Sequence, residues 1–170
     1  LFDSSNDFVV PAGADRIEGF TFMIQGANGG SSSGARGGFG GQISGELDET
    51  ELLPGDTVRV RKGDDGVDGT ASGSGGDATT MVVIAGPGHS SLQGDEIYRF
   101  VAAGGGGAGL TNQGGDVTAL DMSGTIADGT QGQGPGGFGG TGYPDAMGGL
   151  STNNGGGGGG GYAGGNGGDS

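Results

Sequence analysis

The sequence predicts an all-β protein of short strands, with essentially no α-helix and with long glycine-rich stretches in an extended, closely packed form. Three observations predict it. Six short runs have strand-like apolar patterning and are bounded by glycine, proline and aspartate. No long stretch carries apolar residues at i, i+3 and i+4 without intervening glycines, each of which would cost about 1 kcal/mol in a helix. Glycine itself makes up 50 of 170 residues. Glycine loses more backbone freedom on folding than any other residue, so ordering these stretches needs close backbone packing, hydrogen bonds or association with other chains.

The strands follow in order. Phe8-Val9-Val10-Pro11 is a brief extended entry. Residues 16–25 place Phe20, Phe22 and Ile24 on one face and Thr21 and Met23 on the other. Gln42 to Leu47 alternates through Ile43, Gly45 and Leu47, and Thr57 to Arg61 turns Val58 and Val60 inward and Arg59 and Arg61 outward. Thr79 to Ala85 is nearly continuously apolar, the pattern of a central strand. Glu96 to Ala102 alternates again. Val117 to Leu120 and Gly124 to Ala127 are weaker strand candidates. Pro54-Gly55-Asp56 and residues 62–69 carry turn chemistry.

Composition shifts near residue 103. Residues 104–170 hold 29 of the 50 glycines, five acids and no basic residue. The expected organisation is therefore a strand-rich part over 1–103 and a glycine-rich part over 104–170, packed as one cooperative unit. Collagen is excluded, because glycine does not recur at every third position along this part and proline is scarce. The favoured form is a bundle of extended strands with three residues per turn, in which backbones without side chains approach and bond one another.

Leu, Ile, Val and Phe total 30 residues and the net charge is −14, a profile close to that of disordered chains. Fifteen Asp and five Glu stand against five Arg and one Lys, Lys62. Such a surface resembles proteins of salt-loving organisms, where salt screens self-repulsion. It excludes a nucleic-acid partner, since no basic patch exists to neutralise phosphates. Without cysteine there is no disulfide, thiolate metal site or cysteine nucleophile. No apolar run nears the roughly 18 residues that span a membrane, so no membrane insertion is expected.

A family resemblance rests on the order of several motifs. Phe8-Val9-Val10-Pro11-Ala12-Gly13 precedes Phe20-Thr21-Phe22-Met23-Ile24-Gln25-Gly26-Ala27-Asn28-Gly29-Gly30 and Gly37-Gly38-Phe39-Gly40-Gly41. Leu53-Pro54-Gly55-Asp56 follows with Val58 and Val60, then Gly75-Gly76-Asp77-Ala78-Thr79, then Val101-Ala102-Ala103 opening into residues 104–109. From about Phe8 onward this resembles the glycine-rich domains of phage tail-fibre and adhesin proteins and of bacterial surface proteins. It is similar also to the extracellular glycine-rich domain of anaplastic lymphoma kinase-type receptors. The resemblance implies a β-sandwich-like part whose long glycine loops pack as polyglycine II helices. It implies an extracellular or virion-surface role: binding a host receptor or glycan, or building a fibre as a homo-oligomer or with other subunits of one assembly. The acidic, lysine-poor, cysteine-free chain departs from the animal receptor version.

Glycine richness also generates motifs by chance. Residues 104–109 satisfy G-x-G-x-x-G, yet no helix follows to present amides to a pyrophosphate. Gly30-Ser31-Ser32-Ser33-Gly34 satisfies G-x-S-x-G without the strand–turn–helix of a nucleophile elbow. The sole histidine, His89, reads as a solvated turn residue rather than a base. Asp64, Asp65 and Asp68 are weak calcium candidates in a glycine-spaced loop. An EF-hand is excluded, because Gly75 stands where its glutamate belongs. Residues 164–169 match one copy of a calcium-binding repeat that needs several. No metal or other cofactor is expected, and the chain is read as a non-enzyme. Phe138, Tyr143 and Tyr162 are the candidate receptor-binding residues, since tyrosine in a glycine-rich loop offers contact area at low entropic cost. A structural subunit of a cell-surface layer or extracellular filament is the alternative to a tail-fibre or spike domain.

Overall fold

A computed structural model describes residues 6–13, 19–117, 149–150, 156–157 and 159–160. The described residues contain six strands and no helix: β1 (Asn6–Val9), β2 (Phe20–Gln25), β3 (Gln42–Leu47), β4 (Thr57–Arg61), β5 (Thr79–Ile84) and β6 (Glu96–Ala102). The all-β class is as expected, and β3, β4 and β6 have the bounds read from the alternation. Val117 lies outside any strand, and residues 118–120 and 124–127 lie outside the described residues.

The strands form a four-stranded sheet of order β1-β4-β5-β6 and a two-stranded sheet of β2 and β3. β4 pairs antiparallel with β1 and with β5. Val58 therefore faces Phe8 on one side and Val83 on the other. β5 is interior to its sheet, which explains its unbroken apolar run: both faces need cover, and Met81, Val82 and Val83 are all buried. Aromatic rings join the two sheets. Phe20 stacks on Phe8 of β1 with centroids 6.4 Å apart, and Phe22 meets Phe100 of β6 at 4.6 Å. Phe22 also lies over Gly45 of β3, where an added Cβ would come within 2.9 Å of the ring.

By contacts the chain divides into two compact units. The first comprises residues 1–24, 43–62 and 80–100; the second comprises residues 25–42, 63–79 and 101–170. The second unit is assembled from the glycine-rich connections between strands. Residues 26–41 link β2 to β3, and residues 63–78 link β4 to β5. Residues 103–117 follow β6. Each connection is itself a hairpin. In the first, Gly26 N–H donates to Gly41, Gly29 to Gly38 and Ser32 to Ala35. In the second, Asp77 donates to Asp64 and Ser74 to Val67; in the third, Gly106 donates to Gly115 and Gly109 to Asn112.

These hairpins are not β-sheet. In a strand, side chains and hydrogen bonds alternate with period two. Here the period is three. Gly26 and Gly29 donate within their own hairpin, whereas Ala27 and Gly30 donate to Asp77 and Ser74 of the second. Gly104 and Gly107 donate to Gly160 and Gly157, while Gly105 and Ala108 donate to Ala27 and Gly30. A three-residue repeat sends successive amides to different neighbours, unlike the two-residue alternation of a pleated strand. Residues 102–109 are all buried, so the segment that reads Gly-Gly-Gly-Gly-Ala-Gly lies inside this unit. Bare glycine is required there: a Cβ on Gly105 would sit 2.1 Å from the Gly38 carbonyl oxygen, and one on Gly104 2.0 Å from that of Gly76.

Candidate functional site

The glycine hairpins run in register. Gly66 and Gly69 donate to Asn28 and Ser31, and Gly105 and Ala108 donate to Ala27 and Gly30, so the outgoing arms of all three hairpins are parallel. Their turns consequently gather at one end of the glycine unit. Those turns are residues 31–36, 70–72 and 110–113. Ser32 and Ser33 tie them together. Ser33 Oγ donates to the Thr70 carbonyl at 2.7 Å, and Ser32 Oγ donates to the Gly109 carbonyl at 2.8 Å while accepting the Ala35 amide at 3.0 Å. The serines read above as a chance G-x-S-x-G motif are thus the fasteners of this end.

Within the turns Arg36 is the one charged side chain, and Asp68 stands just before the second. Ser33, Thr70, Thr111, Asn112 and Gln113 are exposed, and Leu110 adds an exposed apolar side chain. Hydroxyl and amide groups on a hydrogen-bonded scaffold can recognise neutral polar ligands without the desolvation cost of a charge. The Arg36 guanidinium makes a two-pronged bridge to Asp116, at 2.9 and 3.1 Å, and lies 4.5 Å from the centre of the exposed Phe39 ring. Asp116 also accepts the Phe39 amide at 2.8 Å. The Arg36 hydrogen bond first, and this amide second, hold the Asp116 carboxyl below the usual carboxylate range.

The residues singled out from sequence fare differently. Phe138, Tyr143, Tyr162 and residues 164–169 lie outside the described residues. Asp64, Asp65 and Asp68 do not converge: among the described residues, no group of three or more acidic or histidine side chains could hold a metal ion. The Asp65 carboxylate accepts the Asn28 amide at 2.8 Å and the Asp68 carboxylate accepts the Ser31 amide at 2.6 Å. The Asp64 carbonyl accepts from Asp77.

His89 requires a correction. It is not a solvated turn residue: its side chain is only 18% exposed, and Nε2 lies 3.1 Å from Asp56 Oδ2. Asp56 is fully buried, and its carboxylate also accepts the amides of Leu53 and Gly86, each at 2.7 Å. Its own carbonyl accepts the Val10 amide, and Gly55 donates back to Val10. Gly55 permits this turn by adopting φ of 92°, a left-handed conformation. An Asp–His pair supplies two of the three members of a hydrolytic triad. Here the aspartate spends its acceptors on two main-chain amides, which locks the turns at 53–56 and 86–89 together.

No family model matches the chain, and no curated protein matches it.

Proposed function

We propose that this chain is a non-enzymatic, surface-exposed adhesion protein, a tail-fibre or spike domain of a virion exterior that contacts a host surface. The observation that carries the reading is the alignment of the three glycine hairpins, which brings three hydroxyl- and amide-bearing turns to one end of a hydrogen-bonded unit. A scaffold of polyglycine II helices suits such a role. Its interior is main chain bonded to main chain, so turn sequences can vary without repacking a side-chain core. The three-residue hydrogen-bond repeat and the buried glycine segment support that description of the scaffold. The family resemblance noted from sequence supports the adhesive role and an extracellular or virion-surface setting.

The alternative is a subunit of a cell-surface layer or filament. β1 favours it. It is an edge strand with all four residues exposed, a form suited to pairing with another chain.

The test uses the purified chain, fluorescently labelled, on host cells. The adhesive reading expects saturable binding that falls at least tenfold in a Thr70→Ala, Thr111→Ala, Gln113→Ala variant. Binding unaffected by this triple substitution would reject the turns as the contact site. Open-ended fibres with no cell binding would replace adhesion with assembly.

A further inference from the structure

We propose that Asp65, Asp68 and Asp116 are edge caps. Their carboxylates stand where the carbonyl groups of a further glycine strand would stand, and so close the glycine unit against lateral addition of a glycine segment from a second copy of this chain. The argument follows the period of three. In residues 26–31, two of every three amides donate to main-chain carbonyls, as described for Gly26, Ala27, Gly29 and Gly30. The third set, Asn28 and Ser31, donates to carboxylates, those of Asp65 and Asp68. The two carboxylates are themselves three residues apart, matching the repeat they serve.

The next segment repeats the device. Gly38 and Gly41 donate to the carbonyls of Gly106 and Ala103, whereas Phe39 donates to Asp116 at 2.8 Å. Gly37 and Gly40 donate to the side-chain oxygens of Ser31 and Asn28, each at 3.3 Å. By contrast, every amide from Gly104 to Gly109 donates to a main-chain carbonyl. That segment is buried, whereas Asp65, Asp68 and Asp116 are exposed. Carboxylate acceptors therefore mark the rim, whereas the buried segment uses main-chain acceptors throughout.

A rim of unpaired amides at three-residue spacing would be a template for another threefold strand, as the open edge of a β-sheet is for another β-strand. The partner that matches is a glycine segment, because the acceptors replaced are carbonyls at that spacing and a side chain would collide as it does inside the unit. A carboxylate is an effective stopper. It satisfies the amide, and an incoming strand would have to displace it and bury its charge.

The test compares Asp65→Ala/Asp68→Ala with Asp65→Asn/Asp68→Asn, which keeps an acceptor oxygen. Light scattering over a concentration series and amide hydrogen exchange are the readouts. The alanine pair should exchange the Asn28 and Ser31 amides at least tenfold faster than the parent and should form higher species as concentration rises. The asparagine pair should stay close to the parent in both. An alanine pair that keeps protection over residues 104–109 and the parent's stoichiometry at every concentration overturns the proposal. If the alanine pair loses that protection, Asp116→Ala decides by the same criterion.

Discussion

Asp56 has two carboxylate oxygens and three polar partners around them: the donating amides of Leu53 and Gly86 and the ring nitrogen of His89. Burying a carboxylate is costly unless its lone pairs are used, and here they are. Asp56→Ala would leave two main-chain amides without an acceptor. Each such loss costs about 1–3 kcal/mol, so the variant should lose about 3 kcal/mol of unfolding free energy, read from the denaturant midpoint at unchanged slope. Asp56→Asn retains one acceptor oxygen and should lose less. His89→Ala should lose less than Asp56→Ala, because the amides keep their partner. Equal losses for His89→Ala and Asp56→Ala would shift the role of lock to the imidazole. Asp65 and Asp68 teach the same lesson at the surface: an aspartate in a glycine-spaced loop reads as a cation ligand until its acceptors are found on main-chain amides.

The elements of this protein are hairpins that change period along their length. β4 and β5 pair residue for residue with period two, and the connection between them pairs with period three. The change occurs where β-branched and aromatic residues give way to glycine. Side chains hold sheets apart, and their absence lets main chains meet directly. Gly37→Ala places a Cβ 1.9 Å from the Gly29 carbonyl oxygen, and Gly105→Ala one 2.1 Å from that of Gly38. Neither obstacle is a flexible side chain, so each variant should lose at least the ~1–3 kcal/mol typical of overpacking. Gly13→Ala is the control: nothing lies within 4 Å of its added Cβ, and its stability should match the parent. Hydrogen exchange would show where the first two variants act, with protection lost over residues 104–109 while β4 and β5 amides stay slow. Uniform loss over both units would mean that they unfold together.

Charge belongs to the whole molecule. With a net charge of −14 and only six basic residues, mutual repulsion among exposed carboxylates opposes the folded state at low ionic strength. Basic side chains relieve part of it. Arg59 and Arg61 both reach Asp7, holding that carboxyl below its ordinary range chiefly through the Arg59 hydrogen bond, and Arg36 serves Asp116. Exposed pairs of this kind contribute little each. Acids outnumber bases by more than three to one, so screening should relieve more repulsion than attraction. The melting temperature should therefore rise from low salt into the molar range of potassium chloride, where the screening length falls to about 3 Å. A melting temperature that falls with salt would remove the comparison with proteins of salt-loving organisms.

The sequence by itself determined the all-β class, the bounds of β3, β4 and β6 and the central place of β5, because alternation and unbroken apolar runs are local consequences of which faces need cover. It also pointed to close backbone packing, or association with other chains, as what must order the glycines. The three-residue spacing was legible in Gly63, Gly66 and Gly69, a short stretch too brief to stand out against glycine richness elsewhere. Tertiary structure alone decided which glycine stretches share a unit, that their turns meet at one end, and that Ser32 and Ser33 fasten them. It alone turned His89 inward onto Asp56, and Asp65 and Asp68 onto main-chain amides. The physical reason is one of range. A glycine carries no side chain to announce its neighbour, so partners 37 residues apart, such as Asn28 and Asp65, are set by register between hairpins rather than by any local pattern.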